Sequence, residues 1–219
     1  MVFASREDAG RELAQLLSRQ SVRLDLVLGL PRGGVVVAVE VARILKLPLD
    51  VVAVRKIGHP YQPEFAIGAM AEAGVILLDP GDGNVLDVRK HEVDEVVARE
   101  TARLHQYETR FHPHGRSDLR GKRVLLVDDG IATGATTEAA VHSVRKQQAS
   151  YVAVAAPVCS SSALLRLSSV ADEVRALVVD PNFLAVGNYY DSFEQVSDDE
   201  VLRALASFSV AKKPDDCSH

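Results

Sequence analysis

The sequence predicts an α/β protein, a doubly wound parallel sheet with a small C-terminal loop hood from about residue 180 to 197. Three observations predict it. Short continuous apolar runs, Val124–Val127 above all, lack the alternation of a half-wet strand and fit strands buried on both faces of a parallel sheet. These runs alternate with helical patterns, as crossovers between parallel strands require. Segments rich in small or basic residues follow several of the runs, at the strand ends where an open α/β sheet gathers its ligands.

Composition sets the outer bounds. A chain of 219 residues can bury one sizeable core, so a single domain over residues 1–211 and a disordered tail over 212–219 are expected. Hydrophobic content of 47% and charged content of 25% are ordinary for a globular protein. A formal charge of −5 gives no basic footprint for nucleic acid. No apolar run approaches the roughly 18 residues that span a bilayer, so no membrane partner is expected. The start, MVFASREDAGRELAQLL, is amphipathic and lacks the basic opening and apolar centre of a signal peptide. Cys159 and Cys217 form neither a disulfide framework nor a metal-binding spacing, and the cytoplasm is the expected compartment.

Ser5 to Leu17 is a capped helix, with Ser5 followed three positions later by Asp8 and an apolar side of Leu13, Leu16 and Leu17. Leu24–Leu30 is a strand that runs at once into Pro31, Arg32, Gly33 and Gly34 and then a helix to about Leu45. Such a turn can hold an anion on backbone N–H groups, and the Arg32 guanidinium suits phosphate oxygens. Asp50–Val54 is the next strand. Beyond it, Arg55 to Phe65 holds two adjacent cations, a glycine and two prolines without periodicity, which predicts a loop of about ten residues. His59 and Glu64 are its candidate acid–base groups. Ala66–Met70 and Val75–Leu78 predict a hairpin-like pair joined near Ala73 and Gly74, followed by a turn at Pro80–Gly83.

Asp87–Phe111 is a long helical pattern with a stripe of Val93, Val96, Val97, Leu104, Tyr107 and Phe111. Its opposite face carries Arg89, Lys90, Glu95, Arg99, Glu100 and Arg103, and it is expected to cover the sheet or a partner subunit in a homodimer. His112 and His114 flank Pro113 with no further ligands nearby, so a surface loop is expected there. After the central strand, Tyr151–Val158 is a strand, Ser161–Leu167 a serine-capped helix, Glu173–Val179 a strand and Asp198–Phe208 a closing amphipathic helix.

The chemistry concentrates in Val124–Thr137, VLLVDDGIATGATT. A buried strand ends in two carboxylates, Asp128 and Asp129. A turn of small residues follows, Gly130, Ala132, Thr133, Gly134 and Ala135, with Thr136 and Thr137 opening a helix. That helix start attracts phosphate, and the threonine hydroxyls can donate to it. Acids beside an anion site make sense only if the ligand also offers them hydroxyls or a divalent metal. A ribose 5-phosphate meets both demands, with its phosphate in the turn and its hydroxyls on the acids.

This stretch resembles the phosphoribosyl pyrophosphate (PRPP) signature of the type I phosphoribosyltransferases, across about 13 consecutive positions. With RKIGHPYQPEFAIGAM and VGNYYDSFEQVSDDEV, the chain is most similar to bacterial and archaeal phosphoribosyltransferase-like proteins whose acceptor their sequence does not assign. The resemblance implies PRPP as substrate, a small nitrogenous acceptor such as a nucleobase, and release of pyrophosphate. It places ribose and 5-phosphate on Asp128 to Thr137, pyrophosphate on Arg32, Gly33 and Gly34, and Mg²⁺ on Asp128 and Asp129, directly or through the substrate. Lys56 or Arg55, together with Asp129, would carry the catalysis. Phe183, Val186 and Asp191 resemble the base-binding segment of hypoxanthine-guanine enzymes, with the spacing to Gly187 changed by one residue. Cys159, Ser160 and Ser161 stand where those enzymes carry a lysine, and Ala132 stands where they carry an aspartate, so 6-oxopurine specificity does not follow. Two other readings stay open on the same residues: a non-catalytic PRPP or nucleotide sensor, and a hydrolase of a phosphoribosyl compound.

Overall fold

The computed structural model describes residues 2–19, 22–78, 89–112 and 115–211. The expected turn at Pro80–Gly83, the start of the long helix at Asp87, His114, and the tail from residue 212 with Cys217 lie outside the described residues. In chain order the elements are α1 (Arg6–Leu17), β1 (Leu26–Gly29), α2 (Gly33–Leu45), β2 (Leu49–Val51), β3 (Val54–Gly58), β4 (Ala66–Ala71), β5 (Val75–Leu78) and α3 (Lys90–Phe111). There follow β6 (Arg123–Val127), α4 (Ala135–Lys146), β7 (Tyr151–Ser160), α5 (Ser161–Ser168), β8 (Glu173–Asp180), a 3₁₀ turn (Val186–Tyr189) and α6 (Asp198–Ala211).

The main sheet has five strands in the order β2-β1-β6-β7-β8, all parallel. Its apolar runs divide by parity, because successive side chains of a strand point to opposite faces. Leu26, Leu28, Val124, Leu126, Val152 and Val154 join one core with Ala140, Val141 and Val144 of α4. Val27, Leu125, Val127, Ala153 and Ala155 join the other with Leu13 of α1 and Val37 and Val41 of α2. Both faces are therefore dry, which is why these strands read as unbroken apolar runs. From β1 the chain moves outward to β2 on one side, and β6 then lies on the other. The strand order reverses between β1 and β6, and that boundary is where an open α/β sheet leaves a crevice at its strand tips.

The strand expected over Asp50–Val54 divides in two. Its first part pairs with β1, and from Val54 the backbone enters a three-stranded antiparallel sheet, β3-β4-β5. At the break the Ala53 N–H loses a sheet partner and donates instead to the buried Glu72 carboxylate at 2.7 Å. A single strand could not serve both sheets, and Glu72 supplies the missing acceptor. Arg55 and Lys56, expected at the start of a loop, are thus on β3, and the irregular segment contracts to residues 59–65. The stripe of α3 packs Val93, Val96 and Leu104 on Ile57, Ile67 and Met70 of this small sheet. Among the described residues, no helix is long and apolar enough to cross a membrane.

Candidate active site

The crevice between the tips of β1 and β6 is a cleft of about 310 Å³, lined by residues 30–33 after β1, Val54, Arg55 and Lys56 from β3, residues 128–134 after β6, Thr136 and Thr137 of α4, and Val186. The turns after β1 and β6 and the start of β3 therefore meet around one space, although about 70 residues of chain separate Lys56 from Asp128.

Each wall has a local reason. Helix α4 begins at Gly134, whose φ of 77° is left-handed and suits a residue without Cβ. Gly134 has no side chain to cap that helix end; the Ala135 N–H meets the Thr133 hydroxyl at 3.4 Å, and the helix start opens onto the turn lined by Thr133 and Thr136. The hydroxyl of Ser160, at the tip of β7, donates to the Ala132 carbonyl and accepts from the Ala163 N–H. One serine thus pins the turn and caps α5. Helix α2 likewise begins without a side-chain cap, directly behind Arg32, whose side chain is exposed beside the cleft.

The two acids sit differently. The Asp128 carboxylate turns back to accept the N–H of Asp129 at 2.9 Å. Burial, together with the neighbouring Asp129 charge, pushes the Asp128 carboxyl well above the usual carboxylate range, against the pull of Lys56. Asp129 Oδ2 is held by Arg6 Nε at 2.7 Å. Asp129 also receives the Tyr190 hydroxyl on its backbone carbonyl at 2.6 Å. Burial and the Asp129 charge raise the Tyr190 phenol, which stays protonated and donates.

The cations of β3 also divide. Arg55 Nε donates to Glu100 Oε2 at 2.7 Å, and its guanidinium stands 5.1 Å from the Tyr107 ring centroid. Lys56 is exposed, lines the cleft and has no ion pair within 4.0 Å among the described residues. Glu100, expected on the solvent face of α3, is instead only 6% exposed, because β3 and α3 close over its pairs with Arg55 and Arg103. His112 departs from its expected surface position as well. Its Nε2 lies 2.9 Å from Glu72 Oε1 and its Nδ1 3.4 Å from Asp50 Oδ1, with the side chain 5% exposed.

The structure gathers Arg32, Gly33, Arg55, Lys56, Asp128 to Gly134, Thr136, Thr137 and Val186 around the cleft. Gly34 and Ala135 stand behind these linings at the starts of α2 and α4. Phe183 is stacked on Tyr189 with ring centroids 5.3 Å apart, and Asp191 has an exposed side chain while its N–H donates to the Phe3 carbonyl. Neither lines the cleft. His59 is 9% exposed and its Nδ1 accepts the Tyr61 N–H, which makes it a brace of the 59–65 turn. Sequence reasoning missed Arg6, Tyr190 and Ser160. Arg6 opens an amphipathic helix and carries no local sign of a partner 123 positions away.

A flavodoxin-like strand order, with two helix starts, two acids and an exposed lysine gathered at the reversal, defines an α/β protein whose candidate site lies where open sheets of this kind gather ligands. The comparisons narrow the class. The model of the phosphoribosyl transferase domain matches residues 4–192, and the chain belongs to that family. A Mycobacterium tuberculosis (strain H37Rv) protein named "Putative phosphoribosyl transferase Rv0571c" is 45% identical over 207 residues, covering 93% of this chain and 46% of that protein. This chain therefore spans about half the length of that relative. The amidophosphoribosyltransferase of Escherichia coli K12 is 26% identical over 192 residues, 81% of this chain and 32% of that enzyme. The solved structure of TT1426 from Thermus thermophilus is 43% identical, covers 95% of this chain and 99% of its own, and superposes with a TM-score of 0.77.

Proposed function

We propose that the protein transfers the 5-phosphoribosyl group of PRPP to a small nitrogenous acceptor, a nucleobase or related heterocycle, and releases pyrophosphate. One observation carries the reading: Asp128 and Asp129 stand at the tip of β6, immediately before a threonine-lined turn onto which the N-terminus of α4 opens, with Lys56 across the same cleft. That arrangement offers acceptors for sugar hydroxyls and donors for a phosphate within one ligand's length.

The 5-phosphate is bound by Thr133, Gly134, Ala135, Thr136 and Thr137 through backbone N–H groups and hydroxyls. The ribose hydroxyls donate to Asp128 and Asp129. Arg32, Gly33 and Gly34 hold the pyrophosphate, and Lys56 neutralises the charge that grows on it as the C1–O bond breaks. Arg55, already paired with Glu100, holds the base of that lysine's strand in place. Bond breaking ahead of bond making leaves an oxocarbenium-like sugar, so no covalent nucleophile is needed and catalysis is positioning plus charge stabilisation.

The acidic pair fits Mg²⁺ in a limited way. It offers hard oxygen ligands, and a cation would relieve the mutual repulsion that pushes Asp128 up. Two carboxylates are too few to complete an octahedron, and no cluster of three or more ligating side chains exists among the described residues. Mg²⁺ would be held by Asp128 and Asp129 together with oxygens of the substrate, and when bound it supplies charge neutralisation for the diphosphate.

The test is calorimetry of PRPP with Mg²⁺, followed by pyrophosphate release against a panel of nucleobases and amines. The double variant Asp128→Asn/Asp129→Asn is expected to lose Mg²⁺-dependent PRPP binding. Unchanged affinity in that variant sinks the assignment. Binding without turnover for any acceptor would mark a sensor, and ribose 5-phosphate formed without an acceptor would mark a hydrolase.

A further inference from the structure

Arg6 reaches the acidic end of the cleft from the opposite end of the sequence. It is the first residue of α1, set by the Ser5 cap, and it is only 9% exposed. A buried guanidinium is costly unless its donors are used. Here Nε donates to Asp129 Oδ2 at 2.7 Å, Nη1 donates to the Glu194 carbonyl at 2.9 Å, and Cζ stands 3.9 Å from the Phe193 ring centroid. Tyr190 closes the arrangement. Its hydroxyl donates to the Asp129 carbonyl, and its ring stacks on Phe193 with centroids 5.2 Å apart.

The segments that make these contacts are themselves tied together. The Phe3 N–H donates to the Tyr189 carbonyl at 2.8 Å, Asp191 N–H to the Phe3 carbonyl at 2.9 Å, and Ser192 N–H to the Ala4 carbonyl at 3.3 Å. The N-terminal strand-like segment and the segment after β8 therefore converge on one carboxylate of the cleft. A salt bridge whose only task was to fasten α1 could have used any surface acid. This one uses an acid that lines the cleft and leaves its neighbour Asp128 without such a partner.

We propose that Arg6 is a positioning residue for Asp129: it fixes the direction of that carboxylate and supplies its counter-charge, so that of two adjacent acids one is preset and the other is left open to the ligand. The identity of the ligand rests on the phosphoribosyl reading above. Arg6 does not line the cleft and acts through Asp129. Its planar fork matters, because a second donor on the Glu194 carbonyl and the face on Phe193 fix the angle at which Nε meets the acid.

The experiment is a double-mutant cycle on Mg²⁺-dependent PRPP affinity, with Arg6→Met, Asp129→Asn and the combination, plus Arg6→Lys. Arg6→Met is expected to weaken PRPP roughly 10- to 100-fold, the worth of one charge-assisted bond lost from a binding group. Arg6→Lys recovers part of that loss, since it keeps the charge without the fork. In the Asp129→Asn background either Arg6 change costs less than about two-fold, because the effect has no acid to act through. Should Arg6→Met fail to fold, Arg6→Lys carries the cycle by itself. Near-native affinity in the Arg6 variants, or an equal loss with and without Asp129, overturns the proposal while the cleft's function stands. A wild-type protein that does not bind PRPP overturns both.

Discussion

The backbone of Gly33 lies so close to Asp129 that a Cβ built on this glycine would stand 1.9 Å from Oδ2 and 2.7 Å from Arg6 Nε. The turn after β1 and the acid after β6 therefore share one space, and only a residue without a side chain lets them do so. Gly34 is crowded differently, by the Val127 carbonyl and the Asp128 Cα, both at 2.8 Å.

That contrast predicts two phenotypes. Gly33→Ala meets the movable end of a side chain, so the chain should fold while Asp129 is pushed off Arg6. PRPP affinity is expected to fall roughly 10- to 100-fold with little change in melting temperature. Gly34→Ala meets backbone and should lower stability by about 1–3 kcal/mol. Calorimetry and urea unfolding of the two variants decide it, and identical behaviour would contradict the geometry.

Lys56, like Arg32, lines the cleft without an ion pair within 4.0 Å among the described residues. Lys56→Ala should lower the turnover number by about 10²-fold, the usual loss when one preorganised stabiliser of developing charge is removed. Ground-state affinity for PRPP should change far less, and stability hardly at all for so exposed a side chain. Stopped-flow pyrophosphate release measures the first and calorimetry the second. A variant that turns over at the normal rate would remove Lys56 from the mechanism.

Glu100 joins α3 to β3 through Arg55 and also binds Arg103. Burial pushes its carboxyl up, but the two guanidinium groups prevail and hold it below the ordinary glutamate value. Glu100→Gln leaves these arginines facing each other without an anion. A loss of about 1–3 kcal/mol in urea unfolding is expected. A change under about 0.5 kcal/mol would mean that the apolar stripe alone holds α3.

His112 gives the fold a pH signature. Burial pushes it down, yet the carboxylates of Asp50 on β2 and Glu72 after β4 raise it from 6.5 to about 9. Arg116 stands on the far side of Glu72, 3.3 Å from Oε2, and Glu108 balances Arg116. A raised histidine stabilises the fold fully below its unfolded value of 6.5, and this contribution fades as pH climbs through about 9. At about 1.4 kcal/mol per unit, the shift corresponds to about 3 kcal/mol. His112→Gln should flatten the fall in stability between about pH 6 and pH 10 relative to the native chain. Parallel curves for the two proteins would show that the histidine is uncharged where it lies.

The parallel core was legible because its determinants are local. Val124–Val127 are apolar at every position since both sheet faces are covered, and Ser5 announces α1 through its own hydroxyl, which accepts the Asp8 N–H at 3.3 Å. The Asp128–Thr137 turn was legible for the same reason, as acids, glycine and threonines stand within ten consecutive positions. The break between β2 and β3 was not. It depends on Glu72 accepting the Ala53 N–H, a contact across 19 positions that no periodicity marks. Glu100 was likewise read by its charge, while its burial is set by Arg55 on another element.

By itself, then, the sequence determined the parallel core strands β1, β6, β7 and β8, the helices, the acidic turn and the glycine turn, because hydrophobic period, caps and backbone freedom act over a few neighbouring residues. Tertiary structure alone decided that Arg6 would grip Asp129, that Lys56 rather than Arg55 would stay open, and that Val186 rather than Phe183 would line the cleft. Those choices rest on which charges and rings meet once distant segments pack. A buried ion pair has no local pattern, since its stability comes from the partner and the low-dielectric surroundings that folding creates.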